Sequence, residues 1–304
     1  YVKEHEKSSA YFFRQAKTNQ KYANVICLEK DNKKLTLPEI NNDIHKFYEN
    51  LYNETIKTTA QERLRTLPSW KKTIDNLPKI NQTEQEELSA EITTAELEQT
   101  LFKYMKKGKS PGNDGLTLEL YQTIWSDVKI LFTDMINYCI EKGCLPTSMR
   151  QSIIRLIRKK NKDPTLLKNW RPISLLNIDT KILSRTITRR ITPLLPKLIG
   201  KEQNAFVKGR NITFGNRTLD YIIRDAENSN DMAIVTIDFE KAFDSVNHDY
   251  LYATMKGMNF PDKLINMIRT LYNKAESAVL NNGYTTKYFP LLRSCRQGDA
   301  LSPY

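Results

Sequence analysis

Cysteine, histidine and long apolar runs are what this chain is short of. Of 304 residues, four are cysteine (Cys27, Cys139, Cys144 and Cys295) and three are histidine. No Cys or His pair sits at zinc-ligand spacing, so the thiols read as free in a reducing, intracellular compartment. His5, His45 and His248 form no constellation and read as surface residues. No apolar run approaches the roughly 18 residues that span a bilayer, so no membrane partner is expected. Neither an initiator Met nor a signal-peptide pattern precedes Tyr1-Val2-Lys3-Glu4. Both ends read as cuts from a longer chain, the second at Tyr304 after the loop-like Gln297 to Pro303. There is no internal repeat.

What is present bounds the class. At 39% hydrophobic the chain can bury a large core, in one to two domains plus an extension. Net charge is +12. Between Arg150 and Arg210 stand 16 Lys/Arg against three acids, Asp163, Asp179 and Glu202, so this block holds the whole excess. Its cations alternate with apolar segments that must fold, such as Ile153-Ile154 and Ile173-Ser174-Leu175-Leu176. A rigid basic surface of that kind suits a polyanion.

Along the chain, Val25 to Leu28 reads as strand-like and Asp31-Asn32 as a turn, after the aromatic Tyr11-Phe12-Phe13. A helix from about Leu37 carries Ile44, Phe47, Tyr48 and Leu51 on one face. Residues 54–88 read as a linker with weak helices, and a boundary is placed near 88. Thr93-Thr94-Ala95-Glu96 is a capping box. Gly108-Lys109-Ser110 invites a P-loop assignment, which fails because Lys103 stands where the first glycine belongs and a helix precedes the loop. Helices are expected over about 117–125 and 128–142, a strand over 151–159, and helices over 179–191 and 214–226. Beyond Asn228 to Asp231, Met232 to Ile237 reads as a buried strand ending in the carboxylate Asp238. Asn247 caps a further helix, Pro261 starts another, and Asn281-Asn282-Gly283 marks a hairpin. Helices and strands mix without strict alternation, which argues for an α+β fold.

A carboxylate at the end of a buried strand can hold a metal ion at a cleft mouth, and equally can just end the strand; the residues of this stretch leave both open. The order of motifs decides. Lys109-Ser110-Pro111-Gly112-Asn113-Asp114-Gly115, Asn169-Trp170-Arg171-Pro172-Ile173-Ser174-Leu175-Leu176-Asn177, Asp238-Phe239-Glu240-Lys241-Ala242-Phe243-Asp244 and Arg296-Gln297-Gly298-Asp299-Ala300-Leu301-Ser302-Pro303 follow one another. Gln203-x-x-Phe206-x-x-Gly209-Arg210 is a weaker fifth. In this order they resemble the reverse transcriptase of LINE-type non-LTR retrotransposons, over residues 89–304. Residues 8–53 are similar to the segment between endonuclease and polymerase in such elements.

The resemblance implies a right-hand polymerase fold: an extension over 1–88, fingers over 89–226 and a truncated palm over 227–304. It implies RNA-directed DNA polymerisation with an RNA template, a DNA primer, deoxynucleoside triphosphates and the element's own RNA as partners. Cytoplasmic ribonucleoprotein and nucleus are the implied locations. Two Mg²⁺ ions, with Mn²⁺ as a substitute, would be held by Asp238 and the backbone carbonyl of Phe239. Lys159 (or Lys160 beside it) and Arg171 would clamp the triphosphate, Phe243 would exclude the ribose 2′-OH, and Gln297 and Gly298 would shape the nucleotide pocket. Lys109, Ser110, Gly112 and Arg210 are weaker template contacts. Asp244 reads as a cap or turn residue, and Asp299-Ala300 replaces the commoner Cys-Pro. The family's Asp-Asp hairpin is missing: no two aspartates are adjacent anywhere. The stretch alone is therefore expected to be inactive. A non-catalytic RNA-binding derivative and a group II intron-type enzyme are the alternatives.

Overall fold

The computed structural model describes residues 24–30, 33–53, 68–227 and 233–304. The expectations for His5, Tyr11-Phe12-Phe13, the Asp31-Asn32 turn and the Asn228 to Asp231 turn lie outside the described residues.

The short strands β1 (Glu29–Lys30) and β2 (Lys33–Lys34) precede helix α1 (Leu37–Asn53). Then come α2 (Pro68–Asp75), α3 (Gln82–Leu88) and α4 (Thr94–Gln99), the last continued by a wider turn over Thr100–Tyr104. Helix α5 (Leu118–Lys142) leads through α6 (Thr147–Arg150) to β3 (Gln151–Arg158), β4 (Trp170–Leu175) and α7 (Ile178–Ile191). After α8 (Leu195–Leu198) and α9 (Ile212–Glu227) the chain reaches α10 (His248–Gly257), α11 (Asp262–Tyr272), β5 (Glu276–Asn281), β6 (Tyr284–Thr285) and β7 (Phe289–Pro290).

One mixed sheet organises these elements, in the order β4-β3-β5-β6, with β7 also on β5. β3 pairs antiparallel with β4 (Ile157 opposite Arg171) and parallel with β5 (Ile154 opposite Val279). As the central strand it buries Ile153, Ile154 and Leu156. The hairpin after β5 forms where Asn281-Asn282-Gly283 predicts it, with φ of 48° at Asn282 and 78° at Gly283, the positive pair that a type I′ turn requires.

The buried apolar residues form two cores. One packs α1 against the sheet through Ile40, Ile44, Tyr48 and Tyr52 with Ile154, Leu156, Val279 and Phe289. Val25 and Leu28 join this core as irregular chain rather than as the expected strand, Val25 donating to the Asn281 side chain at 2.8 Å. The other core is helical and gathers Leu97, Leu101, Trp125, Ile136, Ile182, Ile187, Leu264 and Ile268. Ile80 and Leu88 belong to it too.

Capping behaves as its residues dictate. Glu96 accepts the Thr93 amide at 2.9 Å while the Thr93 hydroxyl accepts the Glu96 amide at 3.2 Å. Arg190 then grips both oxygens of Glu96 at 2.7 Å and fastens α4 to α7.

Three expectations are corrected. The two helices over 117–125 and 128–142 are one: nothing at Ser126-Asp127 removes a helical hydrogen bond, and Trp125 packs edge-on against Phe132 at 5.6 Å across the expected break. His45 and His248 are half-buried, against Phe289 and Tyr272, rather than at the surface. Most consequentially, 233–239 is not a buried strand. It runs without strand partners among the described residues, with Ile234, Val235 and Ile237 exposed. Among the described residues no helix is long and apolar enough to cross a membrane.

Candidate functional site

The motif residues divide by how firmly they are held. At one end of the β3–β4 hairpin, Lys159 continues the ladder, its amide donating to the Asn169 carbonyl at 3.0 Å and its ammonium to the Lys168 carbonyl at 3.1 Å. Arg171, opposite Ile157, alternates outward between the buried Trp170 and Pro172 and is exposed. Two cations therefore stand at the same end of one rigid hairpin.

A second feature is the meeting of the 239–246 turn with the 291–299 loop. The Cys295 amide donates to the Phe243 carbonyl and the Ser294 amide to the Val246 carbonyl, both at 2.8 Å. Further on, the Ser174 amide of β4 donates to the Gln297 carbonyl at 2.7 Å. Gly298 follows at φ +104°, and a Cβ there would lie 2.8 Å from the Ser174 carbonyl oxygen. Only glycine lets the loop lie this close to β4. Phe243 opens a short 3₁₀ turn with its ring partly exposed.

Between turn and loop lies Asp244, only 3% exposed. The Gln297 side-chain amide donates to its two oxygens at 3.2 and 3.0 Å, and the Tyr52 hydroxyl to one of them at 3.3 Å. Burial raises its carboxyl above the usual value; the Tyr52 and Gln297 hydrogen bonds and the Lys241 and Lys159 charges pull the other way. Asp244 is thus the joint of the site rather than a cap. Sequence reasoning missed it, and missed Tyr52. A signal existed for the tyrosine: Ile40, Ile44, Tyr48 and Tyr52 recur at strict four-residue spacing, which marks the buried face better than Leu51 does.

Asp238 and Phe239 are placed differently. Both are exposed in the 233–239 run, Phe239 at 77%. Among the described residues no group of three or more His, Cys, Asp or Glu side chains converges as a metal cage. Asp244 is engaged by two donors already, so the residues present do not make a site for two divalent ions.

Lys109 and Ser110 line a cleft of about 550 Å³ together with Gly298, Lys106, Lys181 and Arg185. Lys181 donates to the Ser110 carbonyl at 3.1 Å. The helical spacing of Lys181 and Arg185 on α7 was the available signal for these two cations. Gly112 is held by packing: a Cβ there would collide with Asn177. Arg210 spends its guanidinium on the carbonyls of Pro196, Ile199, Gly200 and Gln203, stitching one loop. Asp299, in the departure from Cys-Pro, is buried and accepts from the Ser184 hydroxyl and from the Ala300 amide at 2.7 Å.

Residues 157–304 match the family described as reverse transcriptase (RNA-dependent DNA polymerase). The transposon TX1 uncharacterized 149 kDa protein of Xenopus laevis is 34% identical over 305 residues, covering 98% of this chain and 22% of that protein. The RNA-directed DNA polymerase from mobile element jockey of Drosophila melanogaster is 26% identical, over 70% of this chain and 23% of its own. The Pol polyprotein of retrotransposable element R2DM, from the same fly, is 25% identical, over 64% and 18%. The chain thus spans about a fifth of the length of these relatives.

Proposed function

We infer, from a chain that belongs to the reverse transcriptases of LINE-type non-LTR retrotransposons, that it supplies the triphosphate-gripping and template-facing part of an RNA-directed DNA polymerase. One observation carries the reading: Phe243 and Gln297 are locked together around Asp244, next to a hairpin end bearing Lys159 and Arg171. Phosphoryl transfer asks little covalent chemistry of a protein and much positioning and charge. Arg171 offers a planar fork and Lys159 a point charge for the triphosphate. The half-exposed Phe243 ring fits the floor under a sugar, where it would exclude a 2′-hydroxyl. Gly298 keeps that wall thin.

The cleft lined by Lys106, Lys109, Lys181 and Arg185 supports a single-stranded RNA template as its occupant. Arg210 and Gly112, by contrast, shape loops, and the template role passes to those four cations. Reverse transcriptases in general use divalent metal ions. Asp238 with the Phe239 carbonyl is one contribution to a Mg²⁺ pair, and further carboxylates are needed, so we expect the chain by itself to be inactive. Fingers, palm, primer strand and residence in a nuclear and cytoplasmic ribonucleoprotein follow from the same reading.

The test is primer extension on an RNA template by a chain that adds the further carboxylates, with Asp238→Asn beside the wild type. Loss of incorporation in the variant is expected; equal incorporation would remove Asp238 from the chemistry. RNA binding without any incorporation would favour the non-catalytic alternative, which needs only the cationic cleft.

A further inference from the structure

We propose that Tyr52 is a positioning residue for the nucleotide loop: by holding Asp244 it sets the orientation of the Gln297 side chain, making helix α1 part of the nucleotide site. The proposal rests on the reading of Gln297 given above.

A carboxylate has no hydrogen to offer, so it can face only the NH₂ half of the Gln297 amide. Both oxygens of Asp244 receive that nitrogen, at 3.2 and 3.0 Å. The Gln297 carbonyl oxygen is thereby turned away from Asp244, as an acceptor of fixed direction. This holds only while the Asp244 carboxylate keeps its own plane. Its remaining donor is the Tyr52 hydroxyl, 3.3 Å from Oδ1.

Tyr52 is itself held by packing. It is 3% exposed, stacked on Phe289 at 6.0 Å and 12° and on Tyr48 at 6.3 Å and 24°. Its main chain holds the same loop, since the Leu292 amide donates to the Tyr52 carbonyl at 3.2 Å and Arg293 Nε to the Leu51 carbonyl at 2.7 Å. Burial, and then the Asp244 charge, push the Tyr52 phenol well above its usual value, which keeps it a donor.

Helix α1 lies wholly outside residues 157–304, the stretch matched to the family. It also carries an internal control. Tyr48, one turn earlier and just as buried, has a hydroxyl without a hydrogen-bond partner among the described residues. Two phenols share one helix face, and only one reaches the carboxylate.

The experiment uses this chain labelled with ¹⁵N-glutamine, the Gln297 side-chain amide being assigned by its loss in Gln297→Leu. Tyr52→Phe removes one oxygen and keeps the stacked ring; it is expected to shift that resonance pair and speed its hydrogen exchange several-fold. Tyr48→Phe is expected to leave the pair in place. Asp244→Asn, which puts an NH₂ donor where one accepting oxygen stood, should perturb it at least as strongly and gives a second route if Tyr52→Phe folds poorly. A Gln297 amide unmoved in Tyr52→Phe, or moved equally by Tyr48→Phe, overturns the proposal. Titration of a deoxynucleoside triphosphate with Mg²⁺ separates this link from the functional reading beneath it. If the wild-type Gln297 signals ignore nucleotide, the reading of Gln297 fails while the Tyr52 link stands or falls on the amide alone. Where they respond, Tyr52→Phe should weaken binding about fivefold, the worth of one net hydrogen bond.

Discussion

Two stretches of almost the same composition meet opposite fates. Ile153-Ile154-Arg155-Leu156-Ile157 becomes the central strand of the sheet, with Ile154 1% and Leu156 0% exposed. Ile234-Val235-Thr236-Ile237 is as apolar and as β-branched, yet Val235 is 78% and Ile237 73% exposed. Backbone preference does not separate them. What separates them is neighbours: β3 has β4 on one side and β5 on the other, while 233–239 has no partner strand among the described residues. Strand propensity measures fit to a pleated, half-buried surface, and a run without such a surface has nothing to fit. The same contrast divides the site. Gln297 and Phe243 are tied in by hydrogen bonds to Asp244, Ser174 and Cys295, and Asp238 stands on the run that has no partner strand among the described residues.

The largest expected effect breaks or keeps that comparison directly. Leu156→Ala should cost about 3 kcal/mol of unfolding free energy, because it opens a cavity between two packed faces. Val235→Ala should stay within about 0.5 kcal/mol. Urea denaturation followed by circular dichroism measures both, and equal losses would mean that 233–239 is as buried as β3.

A second, smaller effect lies in the helical core. Glu96→Gln leaves Arg190 with half of its bidentate partner and should cost about 2 kcal/mol at pH 7. Burial works to raise the Glu96 carboxyl, but the bonds from Arg190 and Thr93 outweigh it and hold the group below its ordinary 4.5. A lowered folded-state value means stabilisation that is complete above 4.5 and lost as the pH falls through the folded value. The gap between wild type and variant should be constant above 4.5 and close below it. A gap that persists in acid would show that Glu96 acts through packing rather than charge.

How much of this was legible follows the same division. The Thr93–Glu96 capping box and the Asn282-Gly283 turn depend on residues within a few positions of each other, and they are where the pattern puts them. Asp244 lies in a turn, as its sequence reads, but its burial is hidden because its partners, Tyr52 and Gln297, lie 192 and 53 positions away. Ser126-Asp127 looked like a break because polar residues end helices; here they occupy the exposed side of a helix whose other side is packed. The apolar run ending at Asp238 predicts a strand that does not form, since it has no partner strand among the described residues. A carboxylate closing an apolar run is visible in one dimension, and the strands that would bury the run are not.

His248 offers an effect smaller still. Its Nε2 lies 2.9 Å from the Ser294 carbonyl and must carry the proton to donate to it. Burial lowers its pKa below 6.5, against the Ser294 bond; Arg296 lowers it further and Asp249 opposes. The stability it contributes is therefore complete above 6.5 and declines as the pH falls towards the folded value. His248→Phe should cost about 1 kcal/mol at pH 7 and abolish this His-dependent decline. Thermal midpoints at a series of pH values measure both, and an unchanged acid slope in the variant would assign it elsewhere.

The smallest effect tests the exposed half of the comparison most sharply, because it is expected to be almost nothing. Ile237→Thr replaces an ethyl branch by a hydroxyl at a position that is 73% exposed. Threonine keeps the β-branch, so backbone preference hardly changes. With no neighbour to leave a cavity against and water available to the new hydroxyl, the cost should stay within about 0.5 kcal/mol. The same change inside β3, Ile154→Thr, buries an unmatched hydroxyl and should cost several-fold more. Should Ile237→Thr cost more than about 2 kcal/mol in the chain alone, the run is covered in solution and Asp238 stands on a strand after all. If the cost appears only when a further segment is supplied, that segment is the missing neighbour, and the carboxylate and its strand are completed together.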